Sequence, residues 1–227
     1  AMQETPQNEM FRLLQGDARQ VVKTFDKDSF DILLFDPPYG SGADSFGDQS
    51  FGLGHQYEDS FEFAVDFIGT IVGQGQHFLK TQSHVLMFCS FEHFEYWREL
   101  YGRLNYEVWR RPLIWSKGTG HAPVPDRGPK YSYECMLLAS RGKRSVVSTV
   151  SDVFHYPPPR EKIHAAEKPV ELIAALLAFL ANPGDKVLDP CVGSGSIFAG
   201  ARGKEIYVTG IEESEDYFAI AQRRMNE

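Results

Sequence analysis

Short apolar runs alternate along the chain with segments in which apolar residues recur at helical spacing. The runs are rich in Val, Ile, Leu and Phe and end at turn-forming residues, which is typical of buried strands. We predict strands at FDILLFD, SHVLMFCS, YEVWRRPLIWSK, YECMLLAS, DKVLD and EIYVTGIE, which are residues 30–36, 83–90, 106–117, 133–140, 185–189 and 205–212.

Helical spacing of apolar positions follows most of these runs. It predicts helices over residues 61–80, 91–102, 167–184, 195–202 and 214–225. Pro169 suits the start of the third helix, and Asn182, Pro183 and Gly184 suit its end. Because strands and helices alternate, we predict an α/β fold in which a mostly parallel sheet has helices on both faces.

The composition fits one cytoplasmic domain. The 227 residues show no internal repeat and no clear linker, so we predict a single domain over residues 1–227. No apolar run approaches the roughly 18 residues that cross a bilayer, and the opening AMQETPQNEM lacks the apolar centre of a signal peptide. Cys89, Cys135 and Cys191 have no metal-ligand spacing, which predicts reduced thiols.

A glycine-rich turn lies in VLDPCVGSGSIFAGA, where an apolar strand ends at Asp189 and Gly193 and Gly195 precede a helix. In an open parallel sheet, ligands bind outside the carboxyl ends of strands, and glycines let the backbone approach them. The next strand ends at Glu212, where an acid can bind ribose hydroxyls. These features predict a nucleotide-like site rather than a plain connection. Phe198 replaces the third glycine of the dinucleotide fingerprint, which weakens a dehydrogenase interpretation.

The stretch FDPPYG (Phe35–Gly40) ends the first predicted strand. Its prolines fix the backbone and carry no amide hydrogen, so Asp36 and the Pro37 carbonyl can accept both hydrogens of one amino group. Tyr39 can stack on the ring that bears this group. Accepting both hydrogens favours a tetrahedral nitrogen whose lone pair can attack an electrophile. The alternative is a turn in which Asp36 caps the backbone and Tyr39 packs.

The tetrapeptide DPPY together with LDPCVGSGS resembles the S-adenosylmethionine-dependent amino-methyltransferases of nucleic acids. The tetrapeptide comes near the amino terminus and the glycine turn near the carboxyl terminus, an order similar to the permuted beta class of DNA methyltransferases. HAAEKPVELIAALLAFLANPGDKVLDP, LIWSKG, YECMLLASRGKR and LLQGDARQVV, which precedes the first predicted strand, are also similar to family segments. The resemblance covers most of Leu13–Met225.

The resemblance implies roles for the residues at matching positions. The target base would be held and stacked by Asp36, Pro37, Pro38 and Tyr39. The implied S-adenosylmethionine site has Asp17 at the adenine, Glu212 at the ribose, Lys168 at the carboxylate, and Asp189, Cys191, Gly193 and Gly195 at the methionine part, with Asp36, Pro190 and Ser194 beside them. A surface turn remains an alternative for Asp17, as does a solvated helix position for Lys168.

The resemblance also implies a fold and a reaction. The fold is a Rossmann-like methyltransferase fold with a seven-stranded sheet and one antiparallel strand. The reaction is direct transfer of a methyl group from S-adenosylmethionine to the amino group of a base flipped out of double-stranded DNA, with no metal. Adenine is favoured because the tetrapeptide begins with aspartate. Cytosine in DNA, adenine in RNA, and a non-catalytic cofactor-binding partner subunit remain alternatives.

The segment for target recognition is short, because only Arg141–Glu167 separates the relevant family segments. Loops 40–60 and 118–130 are therefore the candidate nucleic-acid contacts, with a homodimer or a specificity partner as a further source of contacts. Basic residues are concentrated in and near the second loop of this acidic chain, whose formal net charge is −8. They are Arg110, Arg111, Lys117, His121, Arg127, Lys130 and the segment Ser140–Arg144. Scattered solvated charges are the alternative. Restriction protection, phage modification and regulatory methylation all fit.

Overall fold

The protein forms one mixed sheet flanked by helices, and a computed structural model describes residues 10–40, 60–122, 126–159 and 167–227. The strands within these ranges are β1 (Phe11–Gln15), β2 (Phe30–Phe35), β3 (Leu79–Cys89), β4 (Glu107–Val108), β5 (Leu113–His121), β6 (Tyr131–Arg141), β7 (Val153–His155), β8 (Lys186–Asp189) and β9 (Tyr207–Glu212). The helices are α1 (Ala18–Val21), α2 (Phe61–Phe78), α3 (Phe94–Arg103), α4 (Val170–Leu180), α5 (Ser196–Ala201) and α6 (Glu215–Asn226).

The strand order is β1-β9-β8-β2-β3-β6-β5-β7. Among the strands described, β6 alone runs antiparallel to its neighbours, while β1, β9, β8, β2 and β3 are mutually parallel. The expected Rossmann-like, mostly parallel sheet is confirmed. The expected count of seven strands is too low, since the described part of the sheet has nine. β4 and β5 pair with the same edge of β6, and β7 adds a further strand outside β5.

Strand boundaries differ from the sequence predictions in two ways. The sequence pattern does not identify β1 or β7, because β1 is short and partly polar and β7 has only three residues. The predicted strand over residues 106–117 is divided into β4 and β5. Pro112 lies between them and has no amide hydrogen for a ladder, which accounts for the interruption.

Alternate residues of the central strands face two separate hydrophobic layers. In β2, Ile32 and Leu34 join the layer that contains α4, α5 and α6, whereas Leu33 and Phe35 join the layer that contains α1, α2 and α3. Both faces of the sheet are thus buried, which explains why the strands read as nearly continuous apolar runs.

The parallel strands define two edges of the sheet. At the carboxyl edge, β1, β9, β8, β2 and β3 end, and β6 begins there because it runs the opposite way. At the amino edge, these parallel strands begin and β6 ends. Cys89 and Cys135 face each other near the carboxyl edge as free thiols, with their sulfur atoms 3.7 Å apart.

Candidate active site

Acidic residues lie at the carboxyl ends of four adjacent strands. Asp36 follows β2, Asp189 and Glu212 are the last residues of β8 and β9, and Asp17 follows β1 by two positions. The parallel register brings these strand ends to one edge, because Gln15 pairs with Glu212 across β1 and β9. The sheet therefore places the two separate sequence motifs, the tetrapeptide and the glycine turn, along the same crevice.

Asp36 is the first residue beyond β2, and only one of its two carboxylate oxygens has a hydrogen-bond partner among the described residues. Its Oδ2 accepts a hydrogen bond of 2.5 Å from Lys168 Nζ. Its Oδ1 is buried and has no hydrogen-bond partner in the described part of the chain. Burial raises the pKa of Asp36, Lys168 opposes this rise, and Glu134 adds to it. An acceptor with this environment suits a neutral donor such as an amino group.

Tyr39 completes the tetrapeptide, which has no regular secondary structure. Its hydroxyl donates to Glu134 Oε2 over 2.8 Å, and its ring packs against the layer of α4, α5 and α6. Burial raises the pKa of Tyr39 well above its usual value, and Asp36 and Glu134 raise it further, so the hydroxyl remains a donor. Gly40 follows with a φ of 66°, and a Cβ there would lie 2.8 Å from the Phe61 backbone. Glycine is thus required where the tetrapeptide meets α2.

Glu134 is a site residue that the sequence analysis did not predict. It lies on β6, and two lysines hold its carboxylate: Lys117 Nζ is 2.6 Å from Oε1, and Lys168 Nζ is 3.3 Å from Oε2. Burial would raise the pKa of Glu134, but Lys168, Lys117 and the hydroxyl of Tyr39 outweigh it and lower the pKa to about 2. The signal in the sequence is the alternation in YECMLLAS, which puts this acid on the same face as the buried Met136.

Lys168 lies two residues before α4, and its side chain is only 7% exposed. Its ammonium lies 5.0 Å from the ring centroid of Phe88, 5.6 Å from that of Tyr39 and 5.9 Å from that of Trp115. Burial opposes the charge, but Asp36 and Glu134 raise the pKa of Lys168, so the ammonium stays protonated. The lysine expected at a cofactor carboxylate is therefore in contact with the catalytic candidate Asp36.

The glycine turn is organised by Glu212. Its Oε2 accepts a hydrogen bond of 2.8 Å from the Gly193 amide, and its Oε1 accepts one of 2.9 Å from the Ser214 amide. Gly193 and Gly195 have φ values of 54° and 85°, and a Cβ at Gly195 would lie 3.0 Å from the Ala221 backbone in α6. The turn thus needs glycine for both its conformation and its contact with the closing helix.

Asp189 and Cys191 form the start of this turn, with Pro190 between them. The Cys191 amide donates to Asp189 Oδ1 over 2.9 Å. Burial, with additional repulsion from Asp36 and Glu212, raises the pKa of Asp189 to about 8 despite this hydrogen bond. Burial also raises the pKa of the Cys191 thiol well above its usual value, which does not suit a nucleophile.

Ser194 and Asp17 have structural partners. Arg224 of α6 donates to the Ser194 carbonyl and hydroxyl and to Glu167, so it ties the glycine turn to the residue before Lys168. Asp17 caps α1, where its Oδ1 accepts from the Arg19 amide over 2.9 Å, and it also pairs with the Arg19 guanidinium. Asp17 still lies at the carboxyl edge, and its role at the adenine stays a prediction.

The acidic residues around the turn suit a ligand that donates hydrogen bonds. Asp36, Asp189 and Glu212 bring three carboxylates to the ends of adjacent strands. A Cβ at Gly193 would meet no atom of the described residues within 4 Å, so this side of the turn is open. S-adenosylmethionine carries an amino group and ribose hydroxyls, and these donors suit such acceptors, in agreement with the sequence expectation.

The basic residues that are concentrated along the sequence lie on different parts of the fold. Arg141 and Arg144 lie at the amino edge, where β6 ends. Arg141 donates to two backbone carbonyls, and Arg144 pairs with Asp31 and Asp185. Lys117 pairs with Glu134 inside the site. Arg127 and Lys130 are exposed just before β6, at the carboxyl edge.

The two predicted recognition loops are described in part. Residues 41–59 of the first loop and 123–125 of the second lie outside the described residues, as does the side chain of His121. Gly118–His121 belongs to β5 rather than to a loop. Across the described chain, no group of three or more His, Cys, Asp or Glu side chains is arranged to hold a metal ion. No helix in the described ranges is long and apolar enough to cross a membrane.

Comparisons with known proteins identify similar sequences and folds. The sequence profile of a DNA methylase family matches residues 30–223. The chain is 24% identical to the type II methyltransferase M.HinfI of Haemophilus influenzae, over 100% of this chain and 71% of that protein. The M1.HpyAVI–SAM complex has a TM-score of 0.73 at 20% identity, over 96% and 100% of the two chains. The cytosine-N4-specific PvuII DNA methyltransferase has a TM-score of 0.76 at 13% identity, over 95% and 86%.

Proposed function

The chain belongs to the DNA methylase family, whose members methylate amino groups of adenine or cytosine with S-adenosylmethionine, and we propose that this member methylates the exocyclic amino group of adenine in DNA. The target adenine is flipped out of the duplex into the crevice at the carboxyl edge. The choice of adenine over cytosine follows from the aspartate that begins the tetrapeptide.

The observation that carries this proposal is the unpartnered Oδ1 of Asp36. A buried carboxylate oxygen without a donor among the described residues is costly unless a ligand supplies one. The exocyclic amino group of adenine has two hydrogens, which Asp36 and the Pro37 carbonyl accept in our proposal. Pro38 fixes the backbone between these acceptors and Tyr39, whose ring stacks on the base.

The cofactor supplies an electrophilic methyl group on a sulfonium. We place its methionine part at Asp189, Cys191 and the glycine turn, with Pro190 and Ser194 beside them. Glu212, which fixes the turn, is our ribose contact, and Asp17 is our adenine contact. These positions are those that the family resemblance implies, and the order of strand ends along the crevice and the open side of Gly193 support them. The chain's own residues bind and orient both partners, and no covalent enzyme intermediate is required.

Duplex DNA approaches the carboxyl edge in this proposal. Arg127 and Lys130 are the exposed basic side chains beside β6, and Tyr131 and Tyr133 are exposed next to them. They suit contacts to phosphates and bases that position the duplex. The segment between β6 and α4 is short, so we propose that recognition also involves residues 41–59, or a second subunit as a homodimer or specificity partner.

The test is methylation of unmethylated plasmid DNA and of RNA with radiolabelled S-adenosylmethionine, followed by mass spectrometry of the nucleosides. We expect N6-methyladenine in DNA. N4-methylcytosine would correct the base assignment, and label in RNA alone would correct the polymer. No transfer to either polymer by folded protein that binds the cofactor would support the non-catalytic partner subunit instead.

A further inference from the structure

The ammonium of Lys168 lies beside the face of Tyr39 on which the target base would stack. Its Nζ is hydrogen-bonded to Asp36 Oδ2, and it faces the ring of Tyr39 with a distance of 5.6 Å to the centroid. An adenine that stacks on this face of Tyr39 and donates to the open Oδ1 of Asp36 brings its ring into the space of the ammonium. The reaction therefore requires Lys168 to move away from Asp36.

A second carboxylate lies next to this ammonium. Glu134 Oε2 is 3.3 Å from Lys168 Nζ, while Asp36 Oδ2 is 2.5 Å from it, so the ammonium lies between two acceptors. A buried ammonium that leaves one carboxylate needs another, because an unpaired buried charge is strongly unfavourable. Glu134 supplies that partner, because Lys168 Nζ needs only a small movement to reach its Oε2.

Glu134 is itself held in a fixed position. Lys117 Nζ lies 2.6 Å from its Oε1, and the Tyr39 hydroxyl donates to its Oε2 over 2.8 Å. Its pairing with Trp115 of β5 fixes its backbone in the sheet. One side chain thus contacts both the base-stacking residue and the lysine that competes with the base.

We propose that Glu134 is a positioning residue for methyl transfer, which retains Lys168 and Tyr39 when the target base stacks on Tyr39 and displaces Lys168 from Asp36. The inference rests on the proposed function, because it assumes an amino group at Asp36. In the enzyme without a bound base, Asp36 and Glu134 share Lys168. With the base bound, Asp36 accepts from the amino group, and Glu134 keeps the ammonium.

Substitutions of Glu134 separate its charge from its shape. Glu134→Gln keeps the size and an acceptor for Tyr39 but removes the charge, so Lys168 stays on Asp36. Glu134→Asp keeps the charge on a shorter side chain. At saturating cofactor and DNA, we expect the single-turnover rate of Glu134→Gln to fall about 10-fold to 100-fold, the range for losing a hydrogen bond to a charged group. Glu134→Asp retains more activity than Glu134→Gln, whereas a role in packing alone predicts the reverse order.

A double variant tests the coupling to Lys168. Lys168→Met removes the ammonium that separates Asp36 and Glu134, which favours protonation of Asp36. The double variant Lys168→Met/Glu134→Gln lacks both the Lys168 ammonium and the Glu134 carboxylate. Its rate is expected to be about tenfold higher than that of the slower single variant, and higher than that of either single variant. The comparison of Lys168→Met with the double variant remains decisive even where Glu134→Gln alone does not fold.

The pH profile gives a readout that a structural role would not change. The rate of Lys168→Met requires a higher pH than that of wild type, and the added Glu134→Gln substitution shifts the profile back toward lower pH. The titratable groups that face Asp36 are Lys168, Glu134, Tyr39, Cys89, Asp189 and Cys191.

Two control variants test the hydrogen bond to Tyr39 and the effect of a carboxylate far from the site. Tyr39→Phe removes the bond to Glu134 but keeps the ring. Because Glu134 keeps both of its lysine partners in this variant, a smaller loss than that of Glu134→Gln is expected. Asp185→Asn removes a carboxylate that pairs with Arg144 at the amino edge, and its rate is expected to match wild type. Thermal unfolding and cofactor titration establish that each variant is folded and saturated.

The outcomes distinguish this inference from the proposed function. Wild-type protein that methylates no DNA overturns both. Wild-type protein that methylates DNA while the double variant is no faster than Lys168→Met overturns the role of Glu134 alone. A Tyr39→Phe loss as large as that of Glu134→Gln also overturns it, because Glu134 would then act only through Tyr39.

Discussion

Two aspartates lie near opposite ends of β2, and their carboxylates differ in how many of their oxygens have hydrogen-bond partners. Asp31, at the amino edge, accepts from Lys80 Nζ over 2.8 Å and from the Lys186 amide over 2.9 Å, and Arg144 lies 3.5 Å away. Both of its oxygens therefore have partners. This is the usual arrangement for a buried carboxylate that contributes to stability.

Asp36, at the carboxyl edge, has one partnered oxygen and one buried oxygen that lacks a donor within the described ranges. Unpartnered atoms also occur at the amino edge, but these are Ser83 Oγ, His84 Nδ1 and Arg144 Nε rather than carboxylate oxygens. Burial lowers the pKa of His84 to about 4, so its ring stays neutral there. The same strand thus carries one carboxylate with partners on both oxygens and another with a partner on only one, as far as the described residues show.

The largest effect is expected from Asp36→Asn. An asparagine offers one acceptor and a competing amide, so the target amino group loses its acceptor and the rate falls about 10²-fold to 10³-fold. Cofactor affinity, measured by calorimetry, should change little. Turnover close to wild type in a labelled-methyl assay would remove Asp36 from the mechanism.

The matched change at the other end of the strand is Asp31→Asn. It removes the carboxylate that pairs with Lys80 and that Arg144 shares with Asp185, so the free energy of unfolding should fall by about 2–4 kcal/mol. The single-turnover rate at 25 °C should stay near wild type, since the site is at the opposite edge. Urea denaturation and the same methyl-transfer assay measure both quantities. An Asp31→Asn protein that is stable but inactive would contradict the division between the edges.

The pH dependence of the rate follows from the raised pKa of Asp36. Its ionised form accepts the amino hydrogens, so the rate should fall as the pH drops through this pKa. Because burial raises the pKa, the fall should begin at a higher pH than for an ordinary aspartate. Asp31→Asn should show the wild-type profile, and a different profile for this variant would contradict the assignment to Asp36.

Asp189→Asn should weaken cofactor binding and raise the free energy of unfolding. Burial and neighbouring carboxylates raise the pKa of Asp189 from an ordinary 3.8 to about 8, so stability falls as the pH rises between these values. Asparagine removes this cost and keeps an acceptor for the Cys191 amide. We expect a gain of about 1 kcal/mol near pH 8 that disappears in acid, together with weaker cofactor binding. Unfolding curves at several pH values, with calorimetry, measure both effects. An unchanged cofactor affinity would argue against Asp189 as a contact.

The smallest effect concerns DNA contacts. Lys130→Ala at the carboxyl edge should lower the salt-dependence slope of DNA binding by about 1, which is the contribution of one phosphate contact. Lys143→Ala, an exposed lysine at the amino edge, is the control and should leave the slope unchanged. Equal effects of the two substitutions would indicate that DNA does not prefer the carboxyl edge.

The sequence was sufficient for the parts of the site that lie next to each other along the chain. Asp36 and Tyr39 share one tetrapeptide, and the glycine turn follows directly from its strand, so local pattern predicts both. Glu134 could not be assigned in this way, because its contact with Lys168 depends on the register of an antiparallel strand. Arg144 was misplaced for the same reason: the direction of β6 takes it to the amino edge. Contacts that depend on the order and direction of strands cannot be predicted from the spacing of residues along the chain.

The proposed contact between Asp36 and the exocyclic amino group of adenine can be tested by removing each partner in turn. In a mapped target site, adenine is replaced by purine, which lacks the exocyclic amino group, and binding of both duplexes is measured for wild type and Asp36→Asn. We predict that wild type binds the adenine duplex about tenfold more tightly and that Asp36→Asn binds the two equally. The same preference for adenine in both proteins would contradict the role of Asp36 as the acceptor.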